Sequence, residues 1–114
     1  MLPRGNRVRK TREFERVFSS RLSVYGIFTR LSYSPAISNF TRCAVVVSTK
    51  ISKKAVMRNK IRRRARAVIK KVLPSLTPPV DIVITCLKGS ELVSYHDFEI
   101  DIMKSLQKIF KKSL

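Results

Sequence analysis

The sequence predicts an α+β domain with elements in the order helix, strand, strand, helix, strand, helix, and with a further strand if residues 24–33 divide at Gly26. Three observations predict it. Two long segments carry apolar residues at helical spacing: Ile61, Ala65, Val68, Ile69 and Val72 in one, and Phe98, Ile102, Leu106 and Ile109 in the other. Before and between them lie short runs rich in branched residues and bounded by Gly, Pro, Ser and Asn, the pattern of strands. The 114 residues, 44% hydrophobic with six Phe and three Tyr, suffice for one core and one domain over 1–114.

Taken in order, residues 1–10 are basic and aperiodic and read as an extended arm. Thr11 is placed to cap a helix over 12–20, with Glu13 and Glu15 near its positive end and Phe14, Val17 and Phe18 at i, i+3, i+4. A first extended segment breaks at Gly26. From Ile27 to Tyr33 the residues alternate, with Ile27, Thr29, Leu31 and Tyr33 on one face and Phe28, Arg30 and Ser32 on the other. Ser34-Pro35 and Ser38-Asn39 mark a loop. Thr41–Ser48 is a strand, apolar in its middle and so buried on both faces. The first long helix runs from Lys53 to about Leu73 and is closed by Pro74, Pro78 and Pro79. Val80–Leu87 is a strand with Val80, Ile82, Ile84 and Cys86 on one face, followed by a turn at Lys88-Gly89. Ser94 with Asp97 three residues on resembles a capping box and opens the last helix, whose end carries Lys104, Lys108, Lys111 and Lys112.

The charge is unbalanced: 25 Lys and Arg against 7 Asp and Glu give +18. A disordered basic tail would lack the apolar runs Ala44–Val47 and Val80–Cys86, so the excess lies on a folded surface and calls for a polyanion. All seven acids are Glu13, Glu15, Asp81, Glu91, Asp97, Glu99 and Asp101, and none falls between residues 16 and 80. Eleven bases occupy the window Lys50–Lys71. A solvated helix face is normally laced with Glu–Lys pairs at i, i+4, whereas every such charge pair here is like-charged. Arg58, Arg62, Arg66 and Lys70 form one row beside the apolar stripe, Asn59 and Arg63 lie further round, and Lys60, Arg64 and Lys71 flank the other side. Arginine in the middle of the helix favours bidentate phosphate or guanine-edge contacts.

Other classes are disfavoured. Cys43 and Cys86 sit in apolar runs without a short-spaced motif, and with His96 alone they do not make a usual zinc site, so they read as buried thiols of a reducing compartment. No run approaches the roughly 18 apolar residues of a membrane span, and the basic start leads into charged sequence, so the expected location is cytoplasmic, with no membrane partner. The few acids and the isolated His96 leave no residue for a chemical step and no metal site on the protein. Asp97 and Asp101, one turn apart, are assigned to capping and solvation.

Lys54-Ala55-Val56-Met57-Arg58-Asn59-Lys60-Ile61-Arg62-Arg63, preceded by Val45-Val46-Val47-Ser48-Thr49-Lys50, resembles the signature of the protein subunit of bacterial ribonuclease P. Lys60 stands for the second Arg of the family's Arg-Asn-Arg core, Thr49 for a Lys, and Ala67 where an acid often follows. Leu2-Pro3, Arg9–Phe18, Asp81–Ile84 and the closing amphipathic helix are similar to family positions in the same order, so the resemblance spans nearly the whole chain. It implies a two-layer α/β sandwich, a mostly antiparallel sheet with three helices in the order αβββαβα, and a left-handed crossover carrying the basic helix. The ordinary rule would give a right-handed one.

The activity implied is endonucleolytic removal of the 5′ leader from precursor tRNA, with the catalytic RNA subunit performing the chemistry through Mg2+ that it mainly holds. By resemblance Lys50, Lys53, Lys54, Arg58, Asn59, Lys60, Arg62, Arg63 and Arg66 bind that RNA. A cleft between the first helix and the sheet takes the single-stranded leader, with Arg9, Arg12, Phe14, Arg16, Phe18 and Tyr33 as its residues and Lys50 and Arg30 as further candidates. Phe14 and Phe18 at i, i+4 suit core packing as well. No obligate protein partner is inferred. The rival reading is a ribosomal or other structural RNA-binding protein, which shares the basic helix and needs no aromatic cleft.

Overall fold

Arg30 pairs opposite Thr85 and Ala44 opposite Val83, which puts the last strand of the sequence in the interior of the sheet. The computed structural model describes residues 7–8, 11–111 and 113–114. In it α1 (Thr11–Ser19) is followed by β1 (Leu22–Tyr25), β2 (Thr29–Pro35), β3 (Arg42–Val46), α2 (Ala55–Val72), a single 3-10 turn at Leu73–Ser75, β4 (Val80–Cys86) and α3 (Tyr95–Phe110). The strand order is β1-β2-β4-β3. β1–β2 and β2–β4 are antiparallel, and β3–β4 is parallel, so the connection between β3 and β4 must cross over and α2 is that crossover.

The alternation of each strand sorts the core. Leu31, Cys43, Val45, Ile82, Ile84 and Cys86 face α2 and α3, where they pack with Ile61, Ala65, Val68, Ile69, Phe98, Ile102, Leu106 and Phe110. Ala44 and Val83 face the other way and pack with Val17 of α1 and with Val8. The sheet with α2 and α3 makes the expected two layers, and α1 adds a partial third. β3 is thus buried on both faces, as its apolar middle predicts.

Four residues of the α2 stripe are buried: Ile61, Ala65, Val68 and Ile69. Burying a large aliphatic side chain contributes about 1.5–3 kcal/mol, against roughly 0.2–0.5 kcal/mol lost per like-charged i, i+4 pair. Packing therefore holds this helix against its own charge.

The ends differ in detail from the sequence reading. Thr11 is the first residue of α1 rather than its cap. The Ser94 hydroxyl accepts from the Asp97 N–H at 3.2 Å, the expected cap of α3. Ile27 lies outside β2, in a turn closed by Gly26 N–H donating to Thr29 O at 2.7 Å. That turn is fixed by Asp101, which is buried and not solvated: its carboxylate accepts from Ile27 N (2.7 Å), Phe28 N (3.0 Å) and Thr29 Oγ1 (2.9 Å). A Cβ on Gly26 would stand 2.5 Å from that carboxylate, which is why the break in the strand is a glycine. Most of the arm, with Leu2, Pro3 and Arg9, lies outside the described residues, as does Lys112. Arg7 and Val8 do not extend into solvent: Val8 N–H donates to Cys43 O at 3.0 Å, and the pair runs parallel to the edge of β3.

Candidate nucleic-acid interface

The first surface is the cationic side of α2 and the loop leading into it. β3 ends in a turn in which Ile51 N–H donates to Ser48 O (3.1 Å) and Lys50 N–H to Ser48 Oγ (3.2 Å). Ser52 Oγ then accepts from Lys54 N (3.2 Å), and Arg58 reaches back from α2 to donate to Ser52 O at 2.9 Å. The loop carrying Lys50, Lys53 and Lys54 is thereby pinned to the helix, with all three side chains exposed. α2 begins at Lys54 without a side-chain cap and with no acid in its first turn, so its positive end is uncompensated. Asn59 Oδ1 accepts from Arg62 at 2.7 Å, which orients that guanidinium on an exposed face. Lys60 and Arg63 are exposed, and Arg64 turns toward α3 to donate to Val93 O at 3.4 Å. Among the described residues, the ion pairs of α2 reduce to Lys71 with Glu99 at 2.7 Å, which favours the charged form of both.

Arg66 occupies a different place. It is half-buried and lines a depression of about 200 Å³ with Arg7, Phe14 and the β3 residues Cys43 to Val45. Burial, with repulsion from Arg7 and Arg62, lowers its pKa, so three guanidinium groups raise the local potential where α1, β3 and α2 meet. The depression joins the cationic helix to the second surface.

That second surface is the sheet face under α1. The helix crosses the strands from β3, where Glu13 pairs with Arg42 and Phe14 packs beside Ala44 and Val46, to β2, where Ser20 Oγ donates to Tyr33 O at 2.6 Å. Beneath it the registers define three rows: Ser34, Asp81, Arg42; then Ser23, Ser32, Val83, Ala44; then Tyr25, Arg30, Thr85, Val46. The first row anchors α1. Asp81, fully buried, accepts from Arg42 Nε (3.0 Å) and Nη2 (2.7 Å) and is paired with Arg16. These hydrogen bonds raise the Arg42 pKa, outweighing burial. Ser32, Val83 and Ala44 of the second row are buried. Tyr25 is exposed and Arg30, Thr85 and Val46 are half-buried, leaving an open strip whose Val46 end packs on the same cluster as Phe14.

Two cleft assignments change. Tyr33 lies on the opposite face, packed against the core of α2 and α3, because it alternates with Ser32 and Ser34, which face α1. Arg16 is not open to a ligand in the way expected: it is held by Asp81 and donates to Ser34 Oγ (2.9 Å) and Pro35 O (3.0 Å). Arg12 is exposed, Phe14 is half-buried and Phe18 is 44% exposed, so the Phe pair divides between packing and surface. Arg7 and Tyr25 were not singled out by the sequence. The alternation that set Arg30 and Ser32 opposite Tyr33 carried the signal for the face, and the Gly26 break concealed the strand that brings Tyr25 to it.

Both free thiols are inert by environment, since burial pushes Cys43 and Cys86 up to about 12. Among the described residues no group of three or more His, Cys, Asp and Glu is placed to hold a metal ion, and no helix is long and apolar enough to cross a membrane.

A family model described as ribonuclease P matches residues 2–112. The ribonuclease P protein component of Pseudanabaena sp. is 31% identical over 109 residues, covering 95% of this chain and 94% of the relative. That of Rippkaea orientalis is 32% identical over 115 residues, covering 94% and 88%. Among solved structures, the Staphylococcus aureus RNase P protein superposes with a TM-score of 0.82 at 23% identity, covering 91% of this chain and 94% of its own. The Thermotoga maritima protein gives 0.81 at 22%, covering 90% and 96%. The structural neighbours share the three helices and the four-stranded mixed sheet. With the family match running from residue 2 to residue 112, through the basic helix and both faces of the sheet, the chain belongs to the ribonuclease P protein family.

Proposed function

We propose that this chain, as the protein component of ribonuclease P in tRNA 5′ processing, docks on the catalytic RNA through α2 and holds the single-stranded leader of precursor tRNA between α1 and the sheet. The observation that supports this best is the continuity of the two surfaces. The acid-free side of α2 passes through Arg66 into the depression at Phe14 and on to the open strip of the sheet. One polyanion meets Lys50, Lys53, Lys54, Arg58, Asn59, Lys60, Arg62 and Arg63, and another lies along Arg12, Phe14 and Phe18. The cations between them screen phosphate repulsion and so favour the compact assembly. Phe14 and Phe18 offer aromatic faces for unpaired bases.

The chemistry belongs to the RNA subunit in this reading. Magnesium-assisted cleavage requires convergent oxygen ligands, and four of the seven acids are engaged elsewhere: Asp81 by two arginines, Glu13 by Arg42, Asp101 by the β1–β2 turn and Glu99 by Lys71. In this reading the Mg2+ is held mainly by the RNA. The test is reconstitution with ribonuclease P RNA at low magnesium. Added protein is expected to raise precursor-tRNA cleavage and binding, and Phe14→Ala is expected to weaken leader-bearing precursor about 5–50-fold while leaving mature tRNA unchanged. An equal loss for both RNAs would assign Phe14 to packing.

A further inference from the structure

Among the described residues Arg30 makes no ion pair. It stands on the open strip, flanked across the strands by Tyr25 and Thr85. Its guanidinium carbon lies 5.4 Å from the centroid of the Tyr25 ring. Its Nε is buried with no acceptor, and among the described residues no carboxylate pairs with it. The hydroxyl of Ser32, the next residue on the same face and only 2% exposed, is also without a partner. Buried polar groups are almost always satisfied, so this patch of the sheet face is short of acceptors, and the remaining nitrogens of the half-buried Arg30 fork are left to meet one that arrives. The nearby acids do not supply it: Asp81 is saturated by Arg16 and Arg42, and Asp101 faces the α3 side under the turn.

The kind of ligand follows from the kind of cation. A mobile, hydrated lysine at the rim suits a phosphate. A guanidinium that is half-buried and stacked on an aromatic ring has a fixed plane, and its fork matches two acceptors in one plane. Such a pair is presented by the O6 and N7 edge of guanine, which an unpaired nucleotide exposes fully. The same strip provides the Tyr25 ring, 61% exposed, at one end of the row and the apolar Val46 at the other.

We propose that Arg30, held by Tyr25, is a specificity-determining residue that reads a guanine at one position of the single strand in the cleft. The inference rests on the leader reading above and adds base selection to it. The experiment uses holoenzyme reconstituted with ribonuclease P RNA and a set of precursor tRNAs in which each leader position carries each of the four bases in turn. Wild type is expected to favour guanine at one position by about tenfold in kcat/KM. Arg30→Lys, which keeps the charge and loses the fork, is expected to abolish that preference and to keep the affinity for mature tRNA. Arg30→Ala is expected to do the same with weaker leader binding, and if it does not fold, Arg30→Lys decides. Absence of a guanine preference, its persistence in Arg30→Lys, or a uniform loss over all bases in Arg30→Ala would overturn the proposal, the last by making Arg30 a phosphate contact. Phe14→Ala in the same series separates the two readings. If it still discriminates against leader-bearing precursor while no base preference exists, Arg30 alone is misassigned; if it binds every precursor as wild type does, the leader reading falls.

Discussion

At the scale of single residues, the scarcity of acids makes each one consequential. Asp81 accepts from two arginines of two different elements, with a side chain that has no solvent exposure. Removing its charge strands two half-buried guanidinium groups with Glu13 as the remaining counterion. Asp81→Asn is therefore expected to cost about 3 kcal/mol of unfolding free energy in chemical denaturation, whereas Glu15→Gln, at an exposed site, is expected to change it by less than about 0.5 kcal/mol. The sequence showed that the acids were few; it did not show that this one was buried, because a carboxylate at the start of an apolar strand reads equally as a strand boundary. The same blindness affected Arg16, whose charge suggested a ligand while its i, i+4 neighbours gave no sign of the Asp81 it meets across the sheet. Tyr33 failed for a simpler reason. Alternation places it on the face opposite Arg30, and the resemblance to a cleft residue outweighed that alternation.

At the scale of elements, α2 was the most legible part of the chain and α1 with its cleft the least. Periodicity alone located the buried stripe of α2, since a helix of 18 residues repeats its signal five times. β1 has four residues and no such redundancy, and its pairing with β2 depends on Asp101, distant in sequence. The cationic row beside the α2 stripe gives the sharpest expectation at this scale. Arg58→Ala combined with Arg62→Ala is expected to reduce the slope of log affinity against log salt by about 1.5 if each arginine neutralises one phosphate of the RNA, measured by titration at several salt concentrations. An unchanged slope would remove the row from the interface. Arg58 also secures Ser52, so thermal melts of the double variant distinguish lost contacts from a loosened loop.

For the molecule as a whole, the order of elements was readable and the order of strands was not. The sequence places β4 last, yet the sheet places it between β2 and β3, where its two faces are buried under α1 on one side and α2 with α3 on the other. The charge was legible as a total and became informative when mapped. Six of the seven acids lie in α1, β4 and α3, whereas α2 carries bases and no acid.

The interior position of β4 also bears on time. To pair Arg30 with Thr85 the chain must first bring together segments separated by α2 and by twelve of the 25 cations, and contacts so distant in sequence form slowly. Like charges crowded into the intervening segment oppose that closure throughout, not only at its end. A polyanion present from the start would remove the repulsion before the sheet closes and would act on the rate as well as on the final stability. Refolding from urea is therefore expected to be faster in the presence of a short single-stranded RNA than in sodium chloride of equal ionic strength, measured by stopped-flow fluorescence of the tyrosines. Equal rates would mean that the repulsion is met only after the rate-limiting step.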